Sequence, residues 1–523
     1  MVGIIDEAQI KFPIGSRIKI GNNCGTVKYV GEVIGQTGTW LGIEWDDFNR
    51  GKHSGCVQNK HYFQTQHPTA GSFVRPAKVG PFETLEQAAR ERYLGYTSHS
   101  LDQNLIREAQ QSLNASLFEI VGMEKIARKQ SKFEELTDIS VDDSPINSPG
   151  CLKDFTSLTT LNLSRTLIWN WETVADIVAQ ISTLRNLNLS SNYLQLPRNE
   201  QINDLEPAFR NLKHINLRNC GLNWVDVLHV AKLWPQIQSL SLQENPISEL
   251  SEVNCKNIFK NLRELDLHCT KLVDFKQICK LGNITTLRCL NIMNNAIEEI
   301  KLPDCESNEK LNIFLELENI NLFNNPIWNE ADAFNELDKL PKLRQLSKTP
   351  HLKSSFDEMF SKAVSMIMNL DVLNKVKIDP KERRGAEYDT WKKYAVEWVQ
   401  ASKSNETLHE FYKKHRSYEI LIKKYGSAAA FIPIVNAKKS NLIKLRIENK
   451  KTGEMWEKKV PRVITVQTLQ GLIVKHFNLE LLNMPHISYA DTKYPDLVVQ
   501  LDNISKTLDF YSIQDNDKII VNW

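Results

Sequence analysis

The sequence has few of the features that mark a secreted, membrane-spanning or metal-dependent protein. Its nine cysteines are odd in number and scattered, with no CxxC pair, which argues against a disulfide framework and against a zinc site. No stretch of about 18 consecutive apolar residues predicts a membrane span. Residues 1–12 lack the basic and apolar segments of a signal peptide. These absences predict a reduced, cytoplasmic protein without a metal ion.

An excess of charge of one sign and the signatures of common enzymes are missing as well. The chain has 65 basic and 63 acidic residues and a net charge of +2, so nothing favours nucleic acid as a partner. GxxxxGK[ST], GxSxG and HExxH motifs are absent. His268 and Cys269 are adjacent, but such a pair within a repeat is far more often part of the packing than a catalytic dyad. We therefore expect a protein that is not an enzyme and needs no cofactor.

The first segment, residues 10–80, is rich in glycine and aromatic residues. Short runs of β-forming residues, such as Arg17–Ile20 and Thr26–Val30, are separated by glycines. This pattern predicts a small, sharply turned β barrel or sandwich. Helical signals follow, including Glu86 and Arg90 four residues apart, and residues 81–130 are predicted to be a helical and polar connector.

The segment from 131 to 350 is periodic. The pattern LxxLxLxx(N/C/T)xL recurs in steps of 22 to 30 residues, the range of leucine-rich repeats. Its units start at Leu136, Leu158, Leu184, Leu212, Ile237, Leu262, Leu287 and Leu317, with a partial unit at Leu343. Because one repeat cannot bury its apolar stripe alone, we expect the units to stack into a curved solenoid whose short parallel strands line a concave face.

Two sets of polar residues have predicted places in these repeats. An asparagine at the ninth position can bond to backbone groups of the turn and form a ladder between neighbouring repeats. That position holds Asn192, Cys220, Asn245, Asn295 or Asn325 in the most regular units. Residues between the strand leucines are expected to face or flank the concave surface, either as a solvated face or as a docking platform for a protein: Thr159, Asn162, Asn186, Asn188, His214, Asn216, Glu264 and Asp266.

The last part of the chain contains two predicted regions. Residues 351–435 are interpreted as a helical cap and linker, in which Trp391, Tyr394 and Trp398 form a stripe typical of packing. Within it, residues 428–434 are interpreted as a connection. Residues 440–523 show a hairpin, a helix and a late strand, the order of a ubiquitin-like β-grasp. The predicted fold class is therefore multidomain, with a small β barrel, an α/β leucine-rich-repeat solenoid, a helical connector and a β-grasp domain.

Five motifs of the first segment resemble a CAP-Gly domain, in order along the chain. They are Gly25–Glu32, Trp40–Asp46, Gly51–Gly55, Tyr62–Phe63 and Gly71–Pro76. The central motif, Gly-Lys-His-Ser-Gly, departs from the usual Gly-Lys-Asn-Asp-Gly at its third and fourth residues. The resemblance implies binding to the acidic, aromatic-ended C-terminal tails of α-tubulin and of certain end-binding proteins.

The residue types of this segment suit such a tail. Lys52 supplies a compact positive charge, and glycines are expected to let backbone N–H groups approach the peptide. Aromatic side chains can wall an apolar slot for the terminal ring, although packing in the core is an equal alternative for Trp45. His53 can still donate a hydrogen bond. The predicted tail-binding residues are Trp40, Trp45, Gly51, Lys52, His53, Ser54, Gly55 and Phe63.

The order of the three modules resembles the tubulin folding cofactor E family, and Glu382–Asp389 is similar to that family as well. The resemblance implies a protein that accepts α-tubulin from cofactor B and joins it to β-tubulin held by cofactor D, with cofactor C triggering release. It also implies help in dissociating existing dimers, and a cytoplasmic, cytoskeleton-associated location. The ubiquitin-like domain is expected to contact another cofactor or the proteasome. We expect a monomer outside these complexes.

Two other classes of function are compatible with parts of the sequence. A microtubule-associated adaptor would bind tubulin tails on the polymer and use the repeats for cargo. Such proteins often carry coiled coils or a basic Ser/Pro-rich flank, and neither is present in this sequence. A ubiquitin-pathway shuttle would use the last domain alone and leaves the CAP-Gly segment unexplained. We rank both below a tubulin folding factor.

Overall fold

The computed structural model describes residues 7–98, 132–253, 258–427, 441–479, 484–492, 494–511 and 513–522. The chain divides into two compact units. The first consists of Met1–Leu272 and Lys280–Asn295, and the second of Val273–Cys279 and Ala296–Trp523. Residues 99–130 of the predicted connector and the predicted connection at 428–434 lie outside the described residues.

The first unit begins with a helix and an antiparallel sheet in the strand order β1-β2-β3-β6. The elements are α1 (Glu7–Lys11), β1 (Arg17–Ile20), β2 (Asn23–Val33), β3 (Gln36–Trp45), the short pair β4 (Cys56–Val57) and β5 (Lys60–His61), and β6 (Gly71–Val74). Alternate strand residues and one residue after α1 form its core: Phe12, Ile18, Val27, Val30, Leu41, Ile43 and Trp45. The predicted small β module is confirmed.

A helix covers the first repeat of the solenoid. Strand β7 (Glu83–Thr84) pairs in parallel with β9 (Ile146–Ser148), and α2 (Leu85–Ser98) follows β7 directly. Leu85 is buried, and the Glu86 carboxylate accepts a hydrogen bond of 2.9 Å from the amide of Cys151. The start of the predicted connector is therefore an N-terminal cap that hides the apolar end of the repeats, as solenoids require.

The repeats of the first unit form a parallel ladder, as the periodicity predicts. Its strands are β8 (Asp138–Ser140), β10 (Thr160–Asn162), β11 (Asn186–Asn188), β12 (His214–Asn216), β13 (Ser239–Ser241), β14 (Glu264–Asp266) and β15 (Cys289–Asn291). The helices between them are α3 (Trp171–Gln180), α4 (Asn199–Leu205) and α5 (Trp224–Val230). The central apolar residue of each strand, such as Leu161 and Leu240, is buried.

The asparagine ladder is also confirmed. The Asn245 side chain is buried; its Oδ1 accepts hydrogen bonds from the amides of Cys220 and Leu222, each at 3.0 Å. Its Nδ2 donates to the carbonyls of Leu217 at 2.7 Å and Leu242 at 3.0 Å. One amide side chain thus pairs backbone groups that neither a strand nor a helix satisfies.

The repeats of the second unit extend further than the predicted boundary at residue 350. Its first elements are α6 (Phe275–Cys279), β16 (Asn319–Asn321), α7 (Glu330–Leu337), β17 (Gln345–Ser347), α8 (Phe356–Met366), β18 (Val372–Leu373) and β19 (Val376–Lys377). Strand β18 pairs in parallel with β17, and β19 turns back antiparallel to β18. Helix α8, which the sequence assigned to the helical cap, is followed by a further strand of the ladder.

The rest of the second unit combines helices with a β-grasp. The helices are α9 (Pro380–Lys393), α10 (Ala395–Ala401), α11 (Asn405–Lys414) and α12 (Arg416–Tyr425). The β-grasp has the strand order β21-β20-β24-β22-β23 and contains β20 (Leu442–Asn449), β21 (Met455–Pro461), α13 (Val466–His476), β22 (His486–Asp491), β23 (Tyr494–Gln500) and β24 (Lys518–Asn522). Both parts share one core, where Trp391 is buried and Tyr394 and Trp398 pack, as interpreted from the sequence.

A buried arginine joins α12 to the repeats of the second unit. The guanidinium of Arg416 donates to the carbonyls of Cys305 at 3.2 Å, Glu306 at 2.8 Å and Glu309 at 2.6 Å. Its Nε lies 3.7 Å from the buried carboxylate of Asp338. Burial raises the pKa of that carboxyl, so the charged form needs its cationic neighbours.

Candidate peptide-binding groove

The loop between β3 and β4 is held by backbone pairing with the start of β6. The amides of Lys52 and His53 donate to the carbonyl of Gly71 at 2.7 and 3.2 Å, and the amide of Gly71 donates to the carbonyl of His53 at 2.8 Å. A Cβ at Gly51 would lie 2.1 Å from the carbonyl oxygen of Thr69. The loop can therefore approach β6 this closely only with glycine at position 51.

The second glycine of the motif has the same kind of role. Gly55 has a φ of +97°, and a Cβ there would lie 1.8 Å from the carbonyl oxygen of Phe63. Its amide donates to Nδ1 of His53 at 3.0 Å. We expected the glycines to free backbone amides for a peptide, but the amides of residues 52, 53 and 55 already have acceptors within the module. These three amides therefore serve the fold of the loop itself, and the side chains beside it are the candidates for contacts to a ligand.

Five rings lie together beside this loop. Phe73 is the central ring, with centroid distances of 5.4 Å to Phe63, 5.3 Å to Tyr62, 6.1 Å to Tyr29 and 5.3 Å to His53. Most of these pairs are edge-to-face, an arrangement that aromatic rings favour. The cluster of Tyr29, His53, Tyr62, Phe63 and Phe73 is named here the ring cluster.

Three members of the ring cluster, Tyr29, Tyr62 and Phe73, were not among the predicted site residues. Gly42 of β3 pairs with Tyr29 of β2 on one side and with Phe73 of β6 on the other. A Cβ at Gly42 would lie 2.4 Å from the Phe63 ring, so this glycine makes room for the cluster. Because Tyr29 and Phe73 come together across Gly42 only through the strand register, no local pattern of the sequence marks them as neighbours.

His53 carries a defined proton. Its Nδ1 accepts the Gly55 amide, so in the neutral ring the proton is on Nε2 and can be donated to a ligand. Burial among the rings of Phe63 and Phe73 lowers the pKa of the imidazole below its usual 6.5. At neutral pH the residue is therefore an uncharged donor, as the amide of an asparagine would be.

Two lysines bring positive charge to this region: Lys60, whose Nζ lies 5.1 Å from the Tyr62 ring, and Lys52 of the loop. This side chain is exposed next to His53, whereas Ser54 is half-buried. Lys28 is paired with Glu44 at 3.0 Å, and for Lys52 no such ion pair is seen among the residues the structure describes. A cation beside a set of rings is the combination that an acidic, aromatic-ended peptide requires.

The two predicted tryptophans differ in their surroundings. Trp45 is 3% exposed and belongs to the core of the barrel, with the guanidinium of Arg50 3.9 Å from its ring. Of the two interpretations, core packing is therefore the one the structure supports. Trp40 is half-buried beneath Arg75, whose guanidinium lies 3.9 Å from its ring. Neither tryptophan has a ring contact with the ring cluster in the described structure.

The polar residues of the concave face have structural roles. Asn162, Asn188, Asn216 and Asp266 each end a strand and accept the amide two residues ahead, at 2.9–3.0 Å. Such turns terminate the strands whatever ligand is bound. His268 bonds to the Asn294 side chain at 2.9 Å, consistent with a packing role in its repeat.

Neither a candidate metal centre nor a membrane-spanning helix is found within the described ranges. No group of three or more His, Cys, Asp or Glu side chains there could hold a metal ion. Among the same residues, no helix is long and apolar enough to cross a membrane.

The comparisons with known proteins agree with this architecture. The sequence profile of the CAP-Gly domain matches residues 14–79. The fold and the groove thus define a multidomain protein in which a CAP-Gly module precedes leucine-rich repeats and a ubiquitin-like domain.

Full-length relatives identify the family more narrowly. Tubulin-specific chaperone E of Drosophila melanogaster is 64% identical over 523 residues, covering 100% of both chains. Tubulin-specific chaperone E of Mus musculus is 32% identical over 98% of each chain. The solution structure of the C-terminal ubiquitin-like domain of mouse tubulin-specific chaperone E covers 17% of this chain and 93% of its own, at 26% identity and a TM-score of 0.15. The chain belongs to the tubulin-specific chaperone E family.

Proposed function

We propose that the protein is a tubulin folding factor that binds α-tubulin through two surfaces. The CAP-Gly groove binds the acidic C-terminal tail, and the repeats bind the folded body. The observation that carries this proposal is the ring cluster around Phe73, in a chain of the tubulin-specific chaperone E family. Two lysines accompany it: Lys52 precedes His53 in the chain, and Lys60 Nζ lies 5.1 Å from the Tyr62 ring.

The chemistry of the groove suits a tail ending in glutamates and a tyrosine or phenylalanine. The terminal ring packs against the ring cluster, of which Tyr29, Tyr62 and Phe73 are only half-buried. Lys52 attracts the carboxylates, and the Nε2–H of His53 donates a hydrogen bond to one of them. Because the cation is exposed, binding should weaken as salt is added.

The solenoid supplies the second surface. A concave ladder of short strands is an extended platform of the kind that repeat proteins use to bind other proteins. Once the tail is held, contact with the tubulin body becomes effectively intramolecular, and the two weak contacts reinforce each other.

This arrangement explains how assembly and dissociation can share one mechanism. The protein would accept α-tubulin from cofactor B and bring it to β-tubulin held by cofactor D, with cofactor C triggering release. If the two surfaces together bind the separated α subunit more tightly than the heterodimer, mass action pulls dimers apart without ATP, with cofactor B as the second partner. In this proposal the ubiquitin-like domain contacts another cofactor or the proteasome.

Binding of a synthetic tail peptide tests the groove directly. The full chain is titrated with a peptide ending in Glu-Glu-Tyr, and with the same peptide lacking the tyrosine. Lys52→Ala should weaken binding about two- to five-fold, the range for an exposed ion pair, and should reduce its salt dependence.

Lys78→Ala is the matched control, because this exposed lysine lies after β6 and away from the groove loop. Equal affinity for the two peptides, or equal effects of the two lysine substitutions, would contradict the proposed site.

A further inference from the structure

An arginine of the CAP-Gly module lies between the groove loop and the solenoid. Arg17 is only 5% exposed, and its Nη1 donates to Thr26 Oγ1 at 2.9 Å and to Asp46 Oδ1 at 2.7 Å, while Nη2 pairs with the other carboxylate oxygen of Asp46. The same guanidinium lies 5.0 Å from the centroid of Tyr193. Tyr193 belongs to a repeat, directly after the ladder residue Asn192.

The pairing with Asp46 reaches the peptide-binding loop. Asp46 follows the last residue of β3, and its amide donates to the carbonyl of Cys24 at 3.1 Å. The chain from Asp46 onward leads within a few residues to Lys52 and His53. A bidentate arginine–carboxylate pair fixes both position and orientation of the group it holds. Arg17 therefore fixes the point at which the loop leaves the sheet.

Further contacts hold the module against the first repeats. Lys19 Nζ donates to the backbone carbonyl of Asp143 at 3.1 Å. Gly15, with a φ of +94°, packs so closely that a Cβ there would lie 3.2 Å from Gln195 Oε1 and 3.5 Å from the Trp169 ring. The CAP-Gly module therefore packs directly against the first repeats of the solenoid, and the connection between them is not a free linker.

We propose that Tyr193 is a positioning residue that couples the solenoid to the peptide-binding loop through Arg17 and Asp46. The aromatic face of Tyr193 holds the guanidinium of Arg17 in the orientation in which it pairs with Asp46. The peptide-binding loop is therefore most ordered when the CAP-Gly module packs against the repeats. The ligand that benefits, an acidic peptide, rests on the proposed function. The coupling between Tyr193 and the loop does not rest on that function, because it concerns contacts within the protein without any ligand.

Hydrogen exchange on the full chain tests the coupling without any ligand. The amides of Arg50, Lys52 and His53 are hydrogen-bonded and report on the order of the loop. Tyr193→Ala should speed their exchange about two- to five-fold, the factor expected when a cation–π contact of a half-exposed ring is lost. Tyr193→Phe keeps the aromatic face and should restore the wild-type rates. Val225→Ala, at another exposed apolar residue of the repeats, should have no effect.

Two results would overturn the coupling: unchanged loop exchange in Tyr193→Ala, or equal acceleration in Tyr193→Phe. Should Tyr193→Ala fail to fold, Tyr193→Leu provides the same test, because leucine keeps apolar volume but loses the aromatic face. Titration of the same proteins with the Glu-Glu-Tyr peptide separates the two proposals. Faster loop exchange together with no binding of the peptide by the wild type would support the coupling and refute the proposed function.

Discussion

Removing the side chain of Asn245 should destabilise the solenoid more than any change of an exposed asparagine. Asn245→Ala leaves the amides of Cys220 and Leu222 and the carbonyls of Leu217 and Leu242 without their partner in a buried turn. Each buried group left without a hydrogen bond costs about 1–3 kcal/mol, and rearrangement or an entering water recovers part of it. We expect a loss of about 3–5 kcal/mol in the free energy of unfolding, a large share of a typical total of about 5–15 kcal/mol.

Urea unfolding followed by circular dichroism measures this loss. In Asn245→Asp a protonated carboxyl keeps the acceptor and offers one donor, so the loss should be smaller than in Asn245→Ala at low pH and should grow as the buried carboxyl ionises. The control is Asn211→Ala, which removes one bond of 3.0 Å from an exposed side chain to the carbonyl of Ser182 and should cost below about 1 kcal/mol. If Asn245→Ala and Asn211→Ala shift the midpoint equally, the ladder does not stabilise the repeats as argued.

Three further predictions concern single residues. Gly55→Ala forces a Cβ against the Phe63 carbonyl at a positive φ, so binding of the tail peptide should be lost while circular dichroism still shows folded repeats. The pKa of His53 is lowered in the folded module, so the neutral imidazole contributes to the stability of the fold above pH 6.5. This contribution is lost as pH falls through the lowered pKa. Thermal melts between pH 5 and 8 should show a larger loss of stability at low pH in the wild type than in His53→Asn, where the lowered pKa of the buried His415 still contributes. Arg416→Met leaves three buried carbonyls without their donor, while Asp338 keeps its ion pair with Lys310 at 3.1 Å; the change should cost about 3–5 kcal/mol by urea unfolding, whereas Arg416→Lys should recover part of it.

Local patterns determined which parts of the fold could be predicted. The repeat period placed the strands and the buried asparagines, because both follow from spacing along the chain alone. The glycines of the groove loop were expected to let backbone N–H groups approach a peptide, and the structure shows a different need: a Cβ at Gly51 or Gly55 would meet the carbonyl of Thr69 or of Phe63 in the same module. Spacing shows that a position needs glycine, and it does not show which atom lies opposite.

Contacts between distant segments could not be read from the sequence. Tyr29 and Phe73 meet across Gly42 only once the strand register is known. Arg416 and the carbonyl of Cys305 are separated by 111 residues, and no local pattern links them. The ladder beyond residue 350 was missed because the strand β18 has only two residues and follows a helix that resembles those of the cap.

Soluble tubulin provides the most direct test of the central claim, that the groove and the repeats together bind α-tubulin. The purified protein is mixed with cofactor B and tubulin whose α-tail is intact or lacks its terminal aromatic residue, and the products are separated by size. The account predicts loss of dimer and a complex with α-tubulin alone, both reduced when the terminal residue is missing. Binding only to the intact dimer or to polymer, with no dependence on the tail, would contradict it and would indicate a microtubule-associated adaptor.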